Sequence, residues 1–326
     1  MTLRPSPESY PAAPRMKEAP FGRVMTAMVT PFAENGRIDL RAAGKLAQYL
    51  VQTGSEGLVV AGTTGESPTI THEEQHELFW TVREAVDVPI LAGTGSNDTR
   101  EAVELAKYAT DNQLANGLLV VSPYYNRPPQ SGIIDYFSQV ADATDLPIVM
   151  YDIPVRTGRG IEHDTMVELA QKFPHIRGLK DAAGDPTRTA TLLRRSDLPS
   201  DFVVYSGDDE KNLALARVGS VGAISVAGHW AAREMAAMYD AYNTGDGQMA
   251  ESINAALQGS YNFETSADTP NPLPTKAMMR TILGEKAIGY CRSPLVIGSE
   301  AEHDLERRAR EVRAELVSLF GQAIDA

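Results

Sequence analysis

The sequence predicts an α/β protein: a (β/α)8 TIM barrel with a C-terminal helical appendage. Three observations predict it. Eight short apolar runs recur along the chain, each followed by an amphipathic stretch. The first run is not followed by the glycine-rich dinucleotide fingerprint that an open doubly wound sheet would favour. After the eighth run, about a hundred residues show helical but no strand periodicity. A chain of 326 residues, 43% of them hydrophobic, is long enough for such a barrel and its extension.

The elements follow in order. Residues 1–20, "MTLRPSPESYPAAPRMKEAP", are rich in proline and polar residues, so a flexible N-terminal arm is expected there. Residues 21–243 are assigned to the barrel and 244–326 to the helical region. The strand candidates are "VMTAMVTPF", "GLVVAGTTG", "PILAGTGS", "GLLVVSPYY", "PIVMYDIP", "IRGLKDAAG", "FVVYSGDD" and "GAISVAG". Their unbroken apolar character and β-branched content suit strands buried on both faces. Between them, stretches such as "DTREAVELAKYATDN" place Ala102, Leu105, Ala106 and Ala109 at helical spacing. Beyond the eighth strand, "AAREMAAMYDAYNTGD", "GQMAESINAALQGSY" and "EHDLERRAREVRAELVSLF" read as helices.

Composition narrows the function. A formal net charge of −13 argues against nucleic-acid binding through general electrostatics. The lone cysteine, Cys291, excludes an intrachain disulfide and a cysteine zinc cluster, as expected in a reducing cytoplasm. No apolar run reaches bilayer length, and the first twenty residues lack the apolar centre of a secretory signal.

A barrel gathers its chemistry at the C-terminal strand ends. Those ends read Thr30, "GTTGES", "GTGSND", "SPYYNRP", "YDIPVRTG", "LKDAAGD", "SGDDE" and "ISVAG", rich in hydroxyls and glycines, with no obvious metal cluster. The sixth strand ends on Lys180. Alternation puts Ile176, Gly178 and Lys180 on one face and Arg177 and Leu179 on the other, while Val149 and Tyr151 share a face of the fifth strand. If those faces point inward, Lys180 and Tyr151 meet at the barrel mouth. Enclosure there favours the neutral amine, the form that attacks a carbonyl. The plain alternative is a lysine that reaches water or pairs with Asp181. Periodicity alone leaves both open.

A resemblance separates them. "GTTGES", "YYNRP", "YDIPVRT", "GLKDA", "SGDD", "GAISV" and "NPLPTK" occur in the order found in the pyruvate-dependent class I aldolases. That family includes dihydrodipicolinate synthases and N-acetylneuraminate lyases. The chain after the arm resembles the dihydrodipicolinate synthase branch, on "GTTGE" and on Arg156 after the fifth strand.

The resemblance implies that Lys180 forms a Schiff base with pyruvate and that the derived enamine attacks L-aspartate 4-semialdehyde. The product would be 4-hydroxy-tetrahydrodipicolinate, on the route to diaminopimelate and lysine. The protonated imine is the electron sink, so neither metal nor organic cofactor is expected. Tyr151, Thr63 and Tyr125 would form a proton relay, with Tyr125 entering a neighbouring subunit's site. A homotetramer, as a dimer of dimers, is therefore expected. Arg156 would clamp the aldehyde's carboxylate. Thr63 and Thr64, at the start of the following helix, would hold the carboxylate of pyruvate, and Gly207 and Ile224 would line the pocket through backbone groups.

Two further features lie in and near "HEEQH". It matches the H-E-x-x-H zinc pattern from His72 to His76, but Thr71 and Glu74 form a capping-box pattern that puts His72 in a first helical turn. Zinc is not expected. In lysine-inhibited members of the family, the positions matching Ser67, His72, Asn97, Glu101 and Tyr124 hold the allosteric lysine. Gln75 and Pro68 depart from that pattern. Two other functions remain at this stage: a sister aldolase acting on N-acetylneuraminate or a 2-keto-3-deoxy sugar acid, and a silent paralogue that only binds a keto acid.

Overall fold

The computed structural model describes residues 16–321. Among them, eight parallel strands close a barrel in chain order, with the last pairing back onto the first. They are β1 (Val24–Ala27), β2 (Gly57–Val60), β3 (Ile90–Gly93), β4 (Gly117–Val121), β5 (Ile148–Asp152), β6 (Ile176–Asp181), β7 (Val203–Ser206) and β8 (Gly222–Ser225). Alternating with them come α1 (Leu40–Gln52), α2 (His72–Ala85), α3 (Thr99–Asp111), α4 (Gln130–Asp142), the short α5 (Pro154–Thr157), α6 (His163–Lys172), α7 (Pro186–Leu193) and α8 (Asn212–Val218). The helix α9 (Gly228–Asn243) follows β8.

The apolar runs serve two cores because alternate residues face opposite sides of the sheet. Met25, Val59, Leu91, Leu119, Val149, Tyr151, Tyr205 and Ile224 fill the barrel interior. Leu58, Val60, Ile90, Leu118, Val120, Met150, Leu179 and Val204 pack outward against the helices.

β6 departs from simple alternation. Ile148 pairs with Ile176, but the next pair is Val149 with Gly178, so Arg177 is an extra residue in the ladder. The bulge turns Ile176 into the outer layer beside Ile148, not onto the face of Lys180 as the two-residue period predicts. Beyond the bulge the period resumes, and Lys180 lies directly across from Tyr151.

The appendage comprises α10 (Gly247–Ala256), α11 (Gln258–Phe263), α12 (Leu273–Leu283), α13 (Glu285–Ile288) and α14 (Ser299–Phe320). Leu305, Ala309 and Leu316 of α14 bury themselves with Leu273, Ala277 and Met278 of α12. α12 was not among the helices expected from periodicity, and it begins in a proline-rich stretch with Pro270, Pro272 and Pro274. Proline is tolerated in a first helical turn, where its missing N–H would have no intrahelical acceptor, and Pro274 stands there.

The arm expected over residues 1–20 falls mostly outside the described residues. Of its last five, Met16 donates its N–H to Asn243 Oδ1 at 2.9 Å, and Lys17 Nζ reaches the Ser200 carbonyl at 2.9 Å. No described helix is long and apolar enough to cross a membrane.

Candidate active site

Lys180 and Tyr151 meet at the C-terminal end of the barrel. Each is only 5% exposed, and Lys180 Nζ lies 4.2 Å from the centroid of the Tyr151 ring. Lys180 therefore does not reach out to water. Nor does it pair with Asp181, which follows it on the opposite face. Asp181 Oδ1 accepts from Ala183 N, and Oδ2 accepts from the Thr189 hydroxyl. The ion pairs found among the described residues do not include Lys180. The lysine amine is thus enclosed against an aromatic face without a neutralising carboxylate.

Room for that side chain comes from Gly207, just past β7. A Cβ there would stand 2.9 Å from Lys180 Cγ and 3.0 Å from Lys180 Cε. Gly207 also donates its N–H to the Asp181 carbonyl at 2.7 Å, which fixes the β7 loop against β6. Ile224 of β8 is buried in the barrel interior with Tyr151 and Tyr205.

Behind this pair, Asp152 faces the helices. Its carboxylate accepts from Ile161 N and lies 3.6 Å from Arg188. Burial pushes it up to about 6, against the pull of the Ile161 hydrogen bond and Arg188.

The Thr63–Thr64 turn is built with unusual care. Ala61 and Glu66, at its two ends, have φ of +55° and +60°, a costly region for side chains with a Cβ. Several bonds hold this conformation. The Thr30 hydroxyl donates to the Gly65 carbonyl at 2.7 Å, and Ser67 N donates to the Gly62 carbonyl at 3.2 Å. Glu66 is buried, with Oε1 2.7 Å from Lys276 Nζ and Oε2 accepting from Arg292 N at 2.9 Å. Lys276 also lies over the Phe32 ring and donates to the Tyr290 carbonyl. Desolvation lowers the Lys276 pKa, and Glu66 opposes that shift. The threonines do not stand at an α-helix start, as the sequence reading placed them. A 3-10 turn, Ser67–Thr69, follows, and α2 begins only at His72. The backbone N–H groups of this stretch therefore belong to a strained turn rather than to a helix N-terminus.

Asn271, just before α12, joins two predicted site residues. Its Nδ2 donates to Thr64 Oγ1 at 2.9 Å, and its carbonyl accepts from Arg156 Nη2 at 3.2 Å. Sequence reasoning missed Asn271, Glu66 and Lys276 as parts of the site. The only signal was the late "NPLPTK" stretch, which periodicity could not connect to a loop 207 residues earlier.

Tyr125 does not join the cluster from within the same chain's core. It stands on the β4 loop, 89% exposed, with φ +71°. Ser67 lies on the β2 loop and His72 opens α2, Asn97 lies on the β3 loop and Glu101 in the first turn of α3, and Tyr124 stands beside Tyr125 on the β4 loop. The five belong to three successive connections from strand to helix. Glu101 Oε2 accepts from the Ser96 hydroxyl at 2.9 Å, and Asn126 Nδ2 donates to the Asn97 carbonyl at 2.8 Å. Two of the letters of "HEEQH", Glu74 and His76, are otherwise engaged. Thr71 and Glu74 form the capping box, Glu74 is gripped by Arg292, and His76 stacks on Tyr108 at 3.3 Å. A surface cavity of about 670 Å³ between Phe32, Asp39, Glu285 and Arg292 contains none of the predicted site residues.

A closed parallel barrel with an enclosed lysine amine and a phenol at its C-terminal mouth is the architecture of an enzyme that works on carbonyl compounds. The sequence matches the Dihydrodipicolinate synthetase family over residues 20–311, and the chain belongs to that family. A 4-hydroxy-tetrahydrodipicolinate synthase from Moorella thermoacetica is 45% identical over 286 residues, covering 87% of this chain and 95% of that protein. The crystal structure of a synthase from Cyanidioschyzon merolae with lysine bound superposes with a TM-score of 0.82 at 39% identity, covering 90% of this chain and 99% of the other. A chloride-inhibited synthase from Acinetobacter baumannii, in complex with pyruvate, gives a TM-score of 0.81 at 33% identity, covering 90% and 99%.

Proposed function

We propose that this chain condenses pyruvate with L-aspartate 4-semialdehyde to give 4-hydroxy-tetrahydrodipicolinate, by a Schiff-base aldol reaction at Lys180. The observation that carries it is the enclosed, carboxylate-free amine of Lys180 against Tyr151. Its neutral form attacks C2 of pyruvate, and loss of one water leaves the imine. A proton leaves the methyl carbon as its C–H electron pair moves toward the iminium nitrogen. The enamine carbon then bonds to the aldehyde carbon of the second substrate, whose oxygen takes up a proton. Finally the second substrate's own amine attacks C2 and displaces Lys180, closing the ring and freeing the lysine for another turnover. The nitrogen takes up the electron pair when the methyl carbon loses its proton and returns it through the enamine carbon when the new bond forms, so the sequence of steps calls for no metal or organic cofactor.

Tyr151 is the group placed to exchange protons beside the imine, with Thr63 and Tyr125 completing the relay. The extreme exposure of Tyr125 supports its service to a neighbouring subunit, and hence a homodimer at least, assembled as a homotetramer. Thr64 takes the pyruvate carboxylate, Arg156 the aldehyde's carboxylate, and Gly207 and Ile224 bound the pocket. The lone cysteine and acidic character suit work in the cytoplasm. The lysine bound in the Cyanidioschyzon structure supports feedback inhibition through Ser67, His72, Asn97, Glu101 and Tyr124. Calorimetry with millimolar lysine tests it, and no heat of binding would count against it. The reaction itself is tested by supplying pyruvate with either aspartate semialdehyde or N-acetylmannosamine. Turnover is expected with the first aldehyde, and turnover confined to the second would overturn the assignment.

A further inference from the structure

We infer that Asn271 is a positioning residue for pyruvate, which sets the Thr64 hydroxyl as a hydrogen-bond donor for the substrate carboxylate. This rests on the reading that Thr64 binds that carboxylate. Burial and two contacts fix the Asn271 side chain. It is 9% exposed, its Nδ2 donates to Thr64 Oγ1 at 2.9 Å, and its Oδ1 accepts from the Thr275 hydroxyl at 2.9 Å. An amide has chemically opposite ends, so its orientation decides which partner donates. Thr275 is fully buried, and Oδ1 of Asn271 is the acceptor found for its hydroxyl among the described residues. Turning the amide over would leave that buried proton without an acceptor, which is costly. The orientation is therefore set, and Nδ2 faces Thr64.

The consequence falls on the hydroxyl of Thr64. One of its lone pairs is taken by Asn271, and among the described residues no protein acceptor takes its proton. Thr64 is 3% exposed, so the hydroxyl has little bulk water to donate to. Its backbone is pinned by the turn between Ala61 and Glu66. A carboxylate arriving at the barrel mouth meets a donor already oriented, and a charge-assisted bond of this kind is strong. Arg156 is tied to the same residue, but through the backbone carbonyl of Asn271. Side-chain replacement at Asn271 should therefore separate the two substrates.

Asn271→Asp keeps the shape but presents an oxygen to Thr64, so the Thr64 proton is captured by the protein. The probe is pyruvate itself, titrated into the full-length protein and trapped with borohydride, with adduct read by mass spectrometry. The midpoint for pyruvate is expected to rise about 30-fold, the loss of one hydrogen bond to a charged group. KM for aspartate semialdehyde should stay within about threefold, because the Arg156 contact to the backbone is untouched. Thr64→Val should raise the pyruvate midpoint similarly, and the double variant should be no worse than Thr64→Val alone. Thr275→Val tests the same chain of bonds without a buried charge and should raise the midpoint about threefold, as expected for a lock one residue removed. Wild-type midpoints in Asn271→Asp and Thr275→Val, with that of Thr64→Val raised, overturn the inference alone, whereas a wild-type midpoint in Thr64→Val removes the carboxylate role of Thr64 as well. Strictly additive losses, or equal losses for both substrates with a matching fall in Tm, also overturn the inference alone. Absence of any adduct in the wild-type protein instead overturns the reading of the site itself, and the inference with it.

Discussion

Replacing Gly207 by alanine is a one-carbon change aimed at the lysine. The added Cβ would lie 2.9 Å from Lys180 Cγ, 3.0 Å from Lys180 Cε and 3.0 Å from Ala182 Cβ. Carbon atoms in ordinary contact stand about 3.5–4.0 Å apart, so the lysine must withdraw by roughly 0.5–1 Å. Overpacking of this kind costs about 1–3 kcal/mol, which the remaining core can absorb. A reactive group displaced by about 1 Å loses on the order of 100-fold in rate. Gly207→Ala is thus expected to fold with a modestly lower Tm and to form the pyruvate adduct about 100-fold more slowly at saturating pyruvate. Gly247→Ala is the comparator, because a Cβ there meets nothing within 4 Å. It should leave adduct rate and Tm unchanged. Wild-type adduct rates in Gly207→Ala would refute the claim that this glycine makes space for the nucleophile.

Two other predictions concern buried charge. Lys276→Met strands the Glu66 carboxylate, whose pair with Lys276 is wholly buried. Chemical unfolding should show a loss of about 3–5 kcal/mol, with much of it restored by adding Glu66→Gln; a single variant as stable as wild type would contradict the pairing. His229 is fully buried, accepts from Val29 N on Nε2 and contacts the Val226 carbonyl through Nδ1, and burial pushes it down to about 4. The unfolded chain takes up this proton near pH 6.5 and the folded one only near 4, so stability is full above 6.5 and falls as pH drops through that window. The share from this residue is about 3 kcal/mol. His229→Gln should flatten the corresponding slope of unfolding free energy against pH, and an unchanged slope would remove the assignment.

The fold was legible because parallel strands buried on both faces leave long apolar runs that can be counted. The pairing of Tyr151 with Lys180 followed from alternation beyond the bulge. Ile176 was misplaced because a single extra residue, Arg177, resets the faces and leaves no mark in a two-residue period. The supports of the site were harder to read. Asn271 reaches Thr64 across 207 residues, and Lys276 reaches Glu66 from a helix whose start is hidden among prolines. Local patterns carry no information about which distant polar groups will satisfy one another. Tyr125 was legible only through resemblance, since an exposed tyrosine on a loop has no chemistry of its own until a partner surface is specified.

The most direct measurement is peptide mapping by mass spectrometry after incubation with pyruvate and borohydride. The expected result is a single reduced pyruvyl group on Lys180, absent from Lys180→Ala. Modification of another lysine, or an unmodified Lys180 in an active protein, would contradict the account.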